Sequence, residues 1–275
     1  MSEPVIGFIG GGNMATAIIR GLLARGVEAE RIAVADPSAE RRNALAALLP
    51  GGRVSADNSD VAAAADVLVL AVKPQMMADV LPPLAATVQA SAPLVVSIAA
   101  GIRSADIDDW LGGGLAVVRC MPNQPALVGE GMTVLYANRR ARPGRDRAEA
   151  VLSAAGPTLW VDEESMIDAA TAISGSGPAY FFYLLEALIA TATEFGFTPE
   201  QARRLAVQTA KGAAATAESE ADEPAVLRER VTSPGGTTAA AFAVLEEADV
   251  RAIFRRAIHA ARQRAGELAG DAATD

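Results

Sequence analysis

The sequence predicts an α/β chain: a doubly wound sheet over residues 1–162, followed by an all-helical domain over residues 163–275. Three observations predict it. Short runs of β-formers alternate with amphipathic helical stretches through the first 162 residues, then strands stop from Ser165 onward. The first strand breaks into a glycine triplet that opens directly into a helix. The later strands are apolar throughout, as strands covered on both faces require.

Residues 5–9 (V-I-G-F-I) are too short and too rich in β-formers for a helix. The run breaks into Gly10-Gly11-Gly12 and resumes at helical spacing in Met14, Ile18, Ile19, Leu22 and Leu23. The pattern is G-x-G-x-x-A, with Gly10, Gly12 and Ala15 in its special places. Gly10 permits the tight turn, Gly12 lets a pyrophosphate approach the backbone, and Ala15 lets helix and strand pack closely. The helix N-terminus offers free N–H groups and the positive end of its dipole to that phosphate. The motif therefore predicts a dinucleotide site.

The second strand, residues 31–35 (R-I-A-V-A), ends at Asp36, and Ser38 is placed to cap a helix over residues 38–49. An acid at Asp36 suits the 2′-hydroxyl of NAD, whereas Ser38, Arg41 and Arg42 suit the 2′-phosphate of NADP. The residues leave that choice open. Strands over 66–71, 94–98 and 115–119 end in Val72-Lys73-Pro74, Ala99-Ala100-Gly101 and Met121-Pro122-Asn123. Three small, Pro- or Gly-bearing loops then lie at one sheet edge, the carboxyl edge where open α/β sheets bind ligands. Further strands are expected at 132–136 and 158–161, the latter closing the sheet, with a basic turn between them.

Helices are expected over 166–173, 180–197, 199–217 (capped by Thr198), 239–247 and 250–268, with a fraying tail over 269–275. The 180–197 helix is apolar almost all round, and a second copy of the chain is the economical partner to bury it. Between helices lies V-T-S-P-G-G-T-T (231–238). Glycines among hydroxyl residues at a helix start make a carboxylate cradle of backbone N–H groups, hydroxyl donors and helix dipole.

Composition excludes other classes. A net charge of −9 argues against nucleic acid and anionic membranes as partners. No apolar run reaches membrane-spanning length, the N-terminus carries no export signal, and a single cysteine, Cys120, suits a reducing cytoplasm. Cys120 has no histidine beside it and no metal-ligand spacing, so neither a catalytic thiol nor a metal site is expected. His259 is expected to be a packing or surface residue.

Six segments in order resemble the pyrroline-5-carboxylate reductases, which catalyse the last step of proline synthesis: residues 7–14 (G-F-I-G-G-G-N-M), 71–75 (A-V-K-P-Q), 97–101 (S-I-A-A-G), 119–123 (R-C-M-P-N), 174–180 (S-G-S-G-P-A-Y) and 231–238. The resemblance implies a Rossmann-type NADP-binding domain and a C-terminal dimerisation and substrate domain that interlocks with a second subunit. Homodimers, in some members built into decamers, are implied with it. It implies NADPH as cofactor, with NADH as the alternative, and a cyclic imine as the small-molecule substrate. Carried over position by position, Ile9, Gly10, Gly11, Gly12, Asn13, Met14, Ser38, Asn58, Ala71, Val72, Lys73, Pro74, Ser97, Ala99 and Ala100 should contact the cofactor, beside the Asp36 read from the motif. Glu164, Ser233, Gly235, Gly236, Thr237 and Thr238 should surround the substrate, with Thr238 nearest the ring nitrogen as the catalytic candidate.

Two positions depart from the family pattern. Arg230 precedes the Val-Thr-Ser-Pro segment where a smaller or neutral residue is usual, and Gln124 replaces the usual threonine after Met-Pro-Asn. Two rivals remain. A β-hydroxyacid dehydrogenase would need a lysine on the first long helix of the second domain, but the only lysines are Lys73 and Lys211. A non-catalytic NADP-binding sensor would be expected to have lost the intact 233–238 loop.

Overall fold

The computed structural model describes residues 4–271. Contacts divide the chain into two compact units, Met1–Ser176 together with Ala261–Asp275, and Gly177–Ala260.

The first unit alternates strands and helices in chain order: β1 (Ile6–Ile9), α1 (Asn13–Ala24), β2 (Ile32–Ala35), α2 (Ala39–Leu48), β3 (Arg53–Ser55), α3 (Asn58–Ala64), β4 (Val67–Leu70), α4 (Met77–Val80), α5 (Ala85–Ser91), β5 (Leu94–Ser97), α6 (Ser104–Trp110), β6 (Val117–Met121), β7 (Thr133–Ala137), α7 (Arg145–Leu152), β8 (Thr158–Val161) and α8 (Ser165–Ala170). The strands form one sheet in the order β3-β2-β1-β4-β5-β6-β7-β8. Neighbours from β3 to β6 run parallel, β7 is antiparallel to β6, and β8 is parallel to β7.

Alternation along each strand builds two cores. Phe8, Val34, Val69, Val96 and Val118 face one layer with α1 and α7. Ile9, Ala35, Leu70, Val95 and Val117 face the other with α3, α5 and α6. Strands buried on both faces favour aliphatic side chains, which is why β1, β2 and β4 read as unbroken apolar runs, with Ser97 in β5 and Arg119 in β6 as buried polar exceptions. Where β1 meets α3 even a methyl group is excluded: a Cβ on Gly7 would lie 2.8 Å from Ala65 Cβ.

Element boundaries shift from expectation in several places, among them the helix expected over 180–197, which spans Gly177–Glu194. The 115–119 strand lies instead at β6, because its pairing with β7 runs on to Met121 opposite Val134. The expected fraying at Ala269 does not occur: the last helix continues to Asp271 and Ala269 is fully buried. Residues 272–275 lie outside the described residues. β3, three residues with a single aliphatic side chain, was not anticipated.

The second unit is helical: α9 (Gly177–Glu194), α10 (Pro199–Ser219), α11 (Pro224–Arg230), α12 (Thr237–Glu247) and the first half of α13 (Val250–Asp271). Thr198 caps α10 reciprocally with Gln201, each side chain accepting from the other's backbone N–H. Few side chains of this unit are buried, and α9 leaves Phe181, Phe182, Tyr183, Leu184 and Leu188 exposed.

Candidate functional site

The glycine turn follows β1 at the carboxyl edge of the sheet. Gly10 has φ +96°, and a Cβ there would sit 2.7 Å from the Ala71 carbonyl oxygen, so only glycine fits. Its N–H donates to Ala35 O at 2.8 Å, tying the turn to the end of β2. Gly12 is the N-cap of α1; no side chain caps it, and a Cβ on Gly12 would meet nothing within 4 Å. An uncapped helix start beneath open space offers N–H donors to an anion. This donor set fits a pyrophosphate.

Asp36 sits at the end of β2 and is only 2% exposed. Gly11 N–H donates to its Oδ2 and Ser38 N–H to its Oδ1, each at 2.9 Å, and Arg41 lies 3.6 Å from Oδ2. The carboxylate thus braces the glycine turn from below. Ser38 caps α2, its hydroxyl accepting from Arg41 N–H at 3.4 Å. Arg42 folds back onto the carbonyls of Asp36 and Pro37, whereas the Arg41 side chain is more than half exposed.

The other predicted cofactor residues gather at the same edge. Ile9 is buried, so any contact it makes is through its backbone. Asn13 and Met14 occupy the first turn of α1. Ala71, Val72, Lys73 and Pro74 follow β4, and Lys73 is exposed. Ser97 at the end of β5 and Ala99 just beyond it are buried while Ala100 is exposed. Asn58 begins α3 and lines an open pocket of about 460 Å³ with Asp57, Ser59 and Asp79. Asn123, beyond β6, turns inward: its amide donates to Ser174 O and its Oδ1 accepts from Met132 N–H. Gln124 begins the short turn Gln124–Val128.

Glu164 lies at the N-terminus of α8, in the first unit. Its Oε1 accepts from Ser104 N–H at 2.7 Å and its Oε2 from the Ser104 hydroxyl at 2.8 Å. Arg119, only 2% exposed, approaches Glu164 Oε1 at 3.4 Å and pairs with Asp168 Oδ1 at 2.7 Å. Arg119, Ser104 and Asp168 were not singled out from the sequence. A signal existed: an arginine inside the apolar strand V-V-R-C-M needs a buried counter-charge, and Glu164 and Asp168 share one helical face four residues apart. The neighbouring Cys120 thiol lies against Ser97 O, and burial pushes it well above the usual thiol range. A reactive thiolate is disfavoured there.

In the second unit, Ser233, Gly235, Gly236, Thr237 and Thr238 form a tight turn into α12. Gly236 N–H donates to Ser233 O, Gly235 has φ +72°, and Gly236 is the N-cap. No side chain caps α12, so Thr237 and Thr238 occupy its first turn with the helix N–H groups beside them uncapped by any side chain. Thr238 is not an N-cap. Arg230 pairs with Glu220 and Asp222, so its charge is engaged within its own unit. Among the described residues there is no His/Cys/Asp/Glu group able to hold a metal, and no helix is long and apolar enough to cross a membrane.

Comparison with known proteins places this arrangement. Residues 164–268 match a family model described as pyrroline-5-carboxylate reductase dimerisation, and residues 5–101 match one described as NADP oxidoreductase coenzyme F420-dependent. The chain is 48% identical over 270 residues to the pyrroline-5-carboxylate reductase of Pseudomonas aeruginosa, covering 98% of each. Among solved structures, a pyrroline-5-carboxylate reductase from Coxiella burnetii superposes with a TM-score of 0.92 at 41% identity, covering 97% of this chain and 99% of that one. The Plasmodium falciparum pyrroline carboxylate reductase with NADP bound gives 0.85 at 27% identity, covering 98% and 99%. With relatives this similar over nearly their whole length, the chain belongs to the pyrroline-5-carboxylate reductase family.

Proposed function

We propose that this protein reduces L-1-pyrroline-5-carboxylate to L-proline with hydride from NADPH, the last step of proline biosynthesis. The observation that carries the reading is the 48% identity to a pyrroline-5-carboxylate reductase over 98% of both chains. The modules of this activity are residues 1–162, which hold the dinucleotide, and residues 163–275, which hold substrate and pair two subunits. The dimerisation match beginning at residue 164 supports that division.

When bound, the dinucleotide supplies hydride to the imine carbon, and a proton reaches the ring nitrogen to complete the amine. The chain's own residues do the rest. Gly12, Asn13 and Met14 receive the pyrophosphate on backbone N–H groups, and Gly10 and Gly11, whose own N–H groups are bonded to Ala35 O and Asp36, shape the turn that brings the phosphate close. Residues 71–74 and 97–100 flank the dinucleotide, Asn58 lies on its adenosine side, and Ser38 with Arg41 receives the 2′-phosphate. Ser233 and the N–H groups of Gly235 and Thr237 hold the substrate carboxylate, while Gly236, its own N–H bonded to Ser233 O, closes the turn that presents them. Thr238 donates its hydroxyl to the ring nitrogen, orienting the imine or relaying a proton from water, because a threonine hydroxyl is a poor acid in its own right. Glu164 completes the substrate surroundings. Orientation and exclusion of water of this kind supply about 7–11 kcal/mol of the barrier reduction.

The protein works in the cytoplasm as a homodimer, which can assemble further into a decamer, and its charge of −9 disfavours nucleic acid as a partner. The test is oxidation of NADPH and of NADH by purified protein, with and without the imine, alongside Thr238→Ala. Imine-dependent turnover, falling about 100-fold in the variant, is the expected result. A folded protein that binds NADPH but shows no imine-dependent oxidation would overturn the assignment.

A further inference from the structure

A buried guanidinium is costly unless it is paired, and Arg119 is paired twice. Its Nη2 meets Asp168 at 2.7 Å, its Nη1 faces Glu164 at 3.4 Å, and its buried Nε has no hydrogen-bond partner among the described residues. Strand β6 thereby grips α8 by its first carboxylate and by the one a turn later. The grip continues along the same side of the strand. A Cβ on Gly175 would lie 2.8 Å from Met121 Cε, and Asn123 donates to Ser174 O at 3.0 Å. Residues 119, 121 and 123 alternate as one face of a strand does, and together they hold the segment from Glu164 to Gly175.

Glu164 passes that grip on. Both of its oxygens are taken by Ser104, the first residue of α6, which follows the 97–101 loop after Ile102 and Arg103. The entry of the loop is fixed by Ser97, which is fully buried: its hydroxyl accepts from Ala99 N–H and its carbonyl faces Cys120 Sγ. At its tip, Gly101 has φ +73°, and a Cβ there would lie 3.4 Å from Leu268 O on the final turns of α13. Only the exit depends on a charged group.

We infer that Arg119 is a positioning residue: by holding Glu164 it sets Ser104, and through Ser104 it sets the exit of the 97–101 loop, which the proposed function assigns to the dinucleotide. The inference rests on that assignment, so its test reads cofactor binding directly, apart from turnover. NADPH dissociation constants, measured by fluorescence titration of the whole protein, are compared for wild type, Arg119→Met, Arg119→Lys, Ser104→Ala and Glu164→Gln, with KM for the imine measured in parallel. Arg119→Met is expected to weaken NADPH binding about tenfold, the worth of a charged hydrogen bond. Arg119→Lys should recover part of that loss, and KM for the imine should rise no more in Arg119→Met than in Glu164→Gln, since Arg119 reaches the substrate only through Glu164. Ser104→Ala, which keeps the backbone donor and fills no new space, should weaken NADPH about threefold, and a Ser104→Ala/Glu164→Gln double variant should be no worse than Glu164→Gln alone. Ser104→Ala remains decisive if Arg119→Met fails to fold. NADPH affinity unchanged in Ser104→Ala or in Glu164→Gln overturns the inference, whatever happens to KM for the imine. Absence of imine turnover in wild type with these affinities shifted as described would sink the proposed reaction and leave the positioning role standing.

Discussion

At the scale of single residues, Asp36 has the position of a ribose-reading acid and the surroundings of a structural brace. A carboxylate that accepts two backbone N–H groups while nearly sealed from solvent has little left to offer a ribose hydroxyl. Arg41, beside it and mostly exposed, is the group the proposed function assigns to a 2′-phosphate. Asp36→Asn is therefore expected to weaken NADPH and NADH by similar factors and to cost about 2 kcal/mol of stability, while Arg41→Ala weakens NADPH about tenfold and spares NADH. Titration of both dinucleotides against both variants checks this; a loss confined to NADH in Asp36→Asn would return the carboxylate to the ribose. Cys120 supplies a second residue-scale expectation. With its thiol raised by burial, alkylation of the native protein should be far slower than of the unfolded chain, and mass spectrometry after timed iodoacetamide exposure measures it.

At the scale of elements, α1 and β8 show what contact demands. Gly21 faces the backbone of Ala154 so closely that a methyl group there would collide with its carbonyl. Gly21→Ala should gain helix propensity yet lose about 2 kcal/mol overall through the overlap, which thermal unfolding measures. The edge strand β8 is tied to α7 by Glu149, which accepts from Thr158 at 2.8 Å and from Trp160 Nε1 at 3.0 Å. Those bonds, the Trp160 one foremost, hold the Glu149 carboxyl below the ordinary range. A depressed native value stabilises above the unfolded value and is lost as pH falls through the native one. The melting-temperature gap between wild type and Glu149→Ala should thus be full at pH 7 and close as pH drops below about 4. Elements such as β1, β4 and β8 were legible because an aliphatic run bounded by turn residues has few other readings. β3 was not, since one valine between Arg53 and Ser55 carries no period, and β6 was offset because its end is set by pairing with β7. The glycine turn could be read from local spacing. The Arg119–Glu164–Ser104 cluster joins residues 15 to 60 positions apart, a distance no local pattern spans.

At the scale of the whole molecule, the second unit exposes what a folded monomer would bury. Tyr183 is 74% and Phe195 77% exposed, amid further aromatic and aliphatic side chains of the 180–197 stretch. Surfaces of this kind belong to obligate interfaces. Tyr183→Asp combined with Phe181→Asp should halve the mass seen by light scattering, and the same measurement on wild type separates dimer from decamer. The first unit includes the stretch from Ala261 onward, and Leu268 backs the tip of the 97–101 loop. Synthesis proceeds from the amino end, so the ribosome delivers all of the second unit before it delivers the piece that finishes the first. The first unit is thus the first to begin folding and the last to be completed.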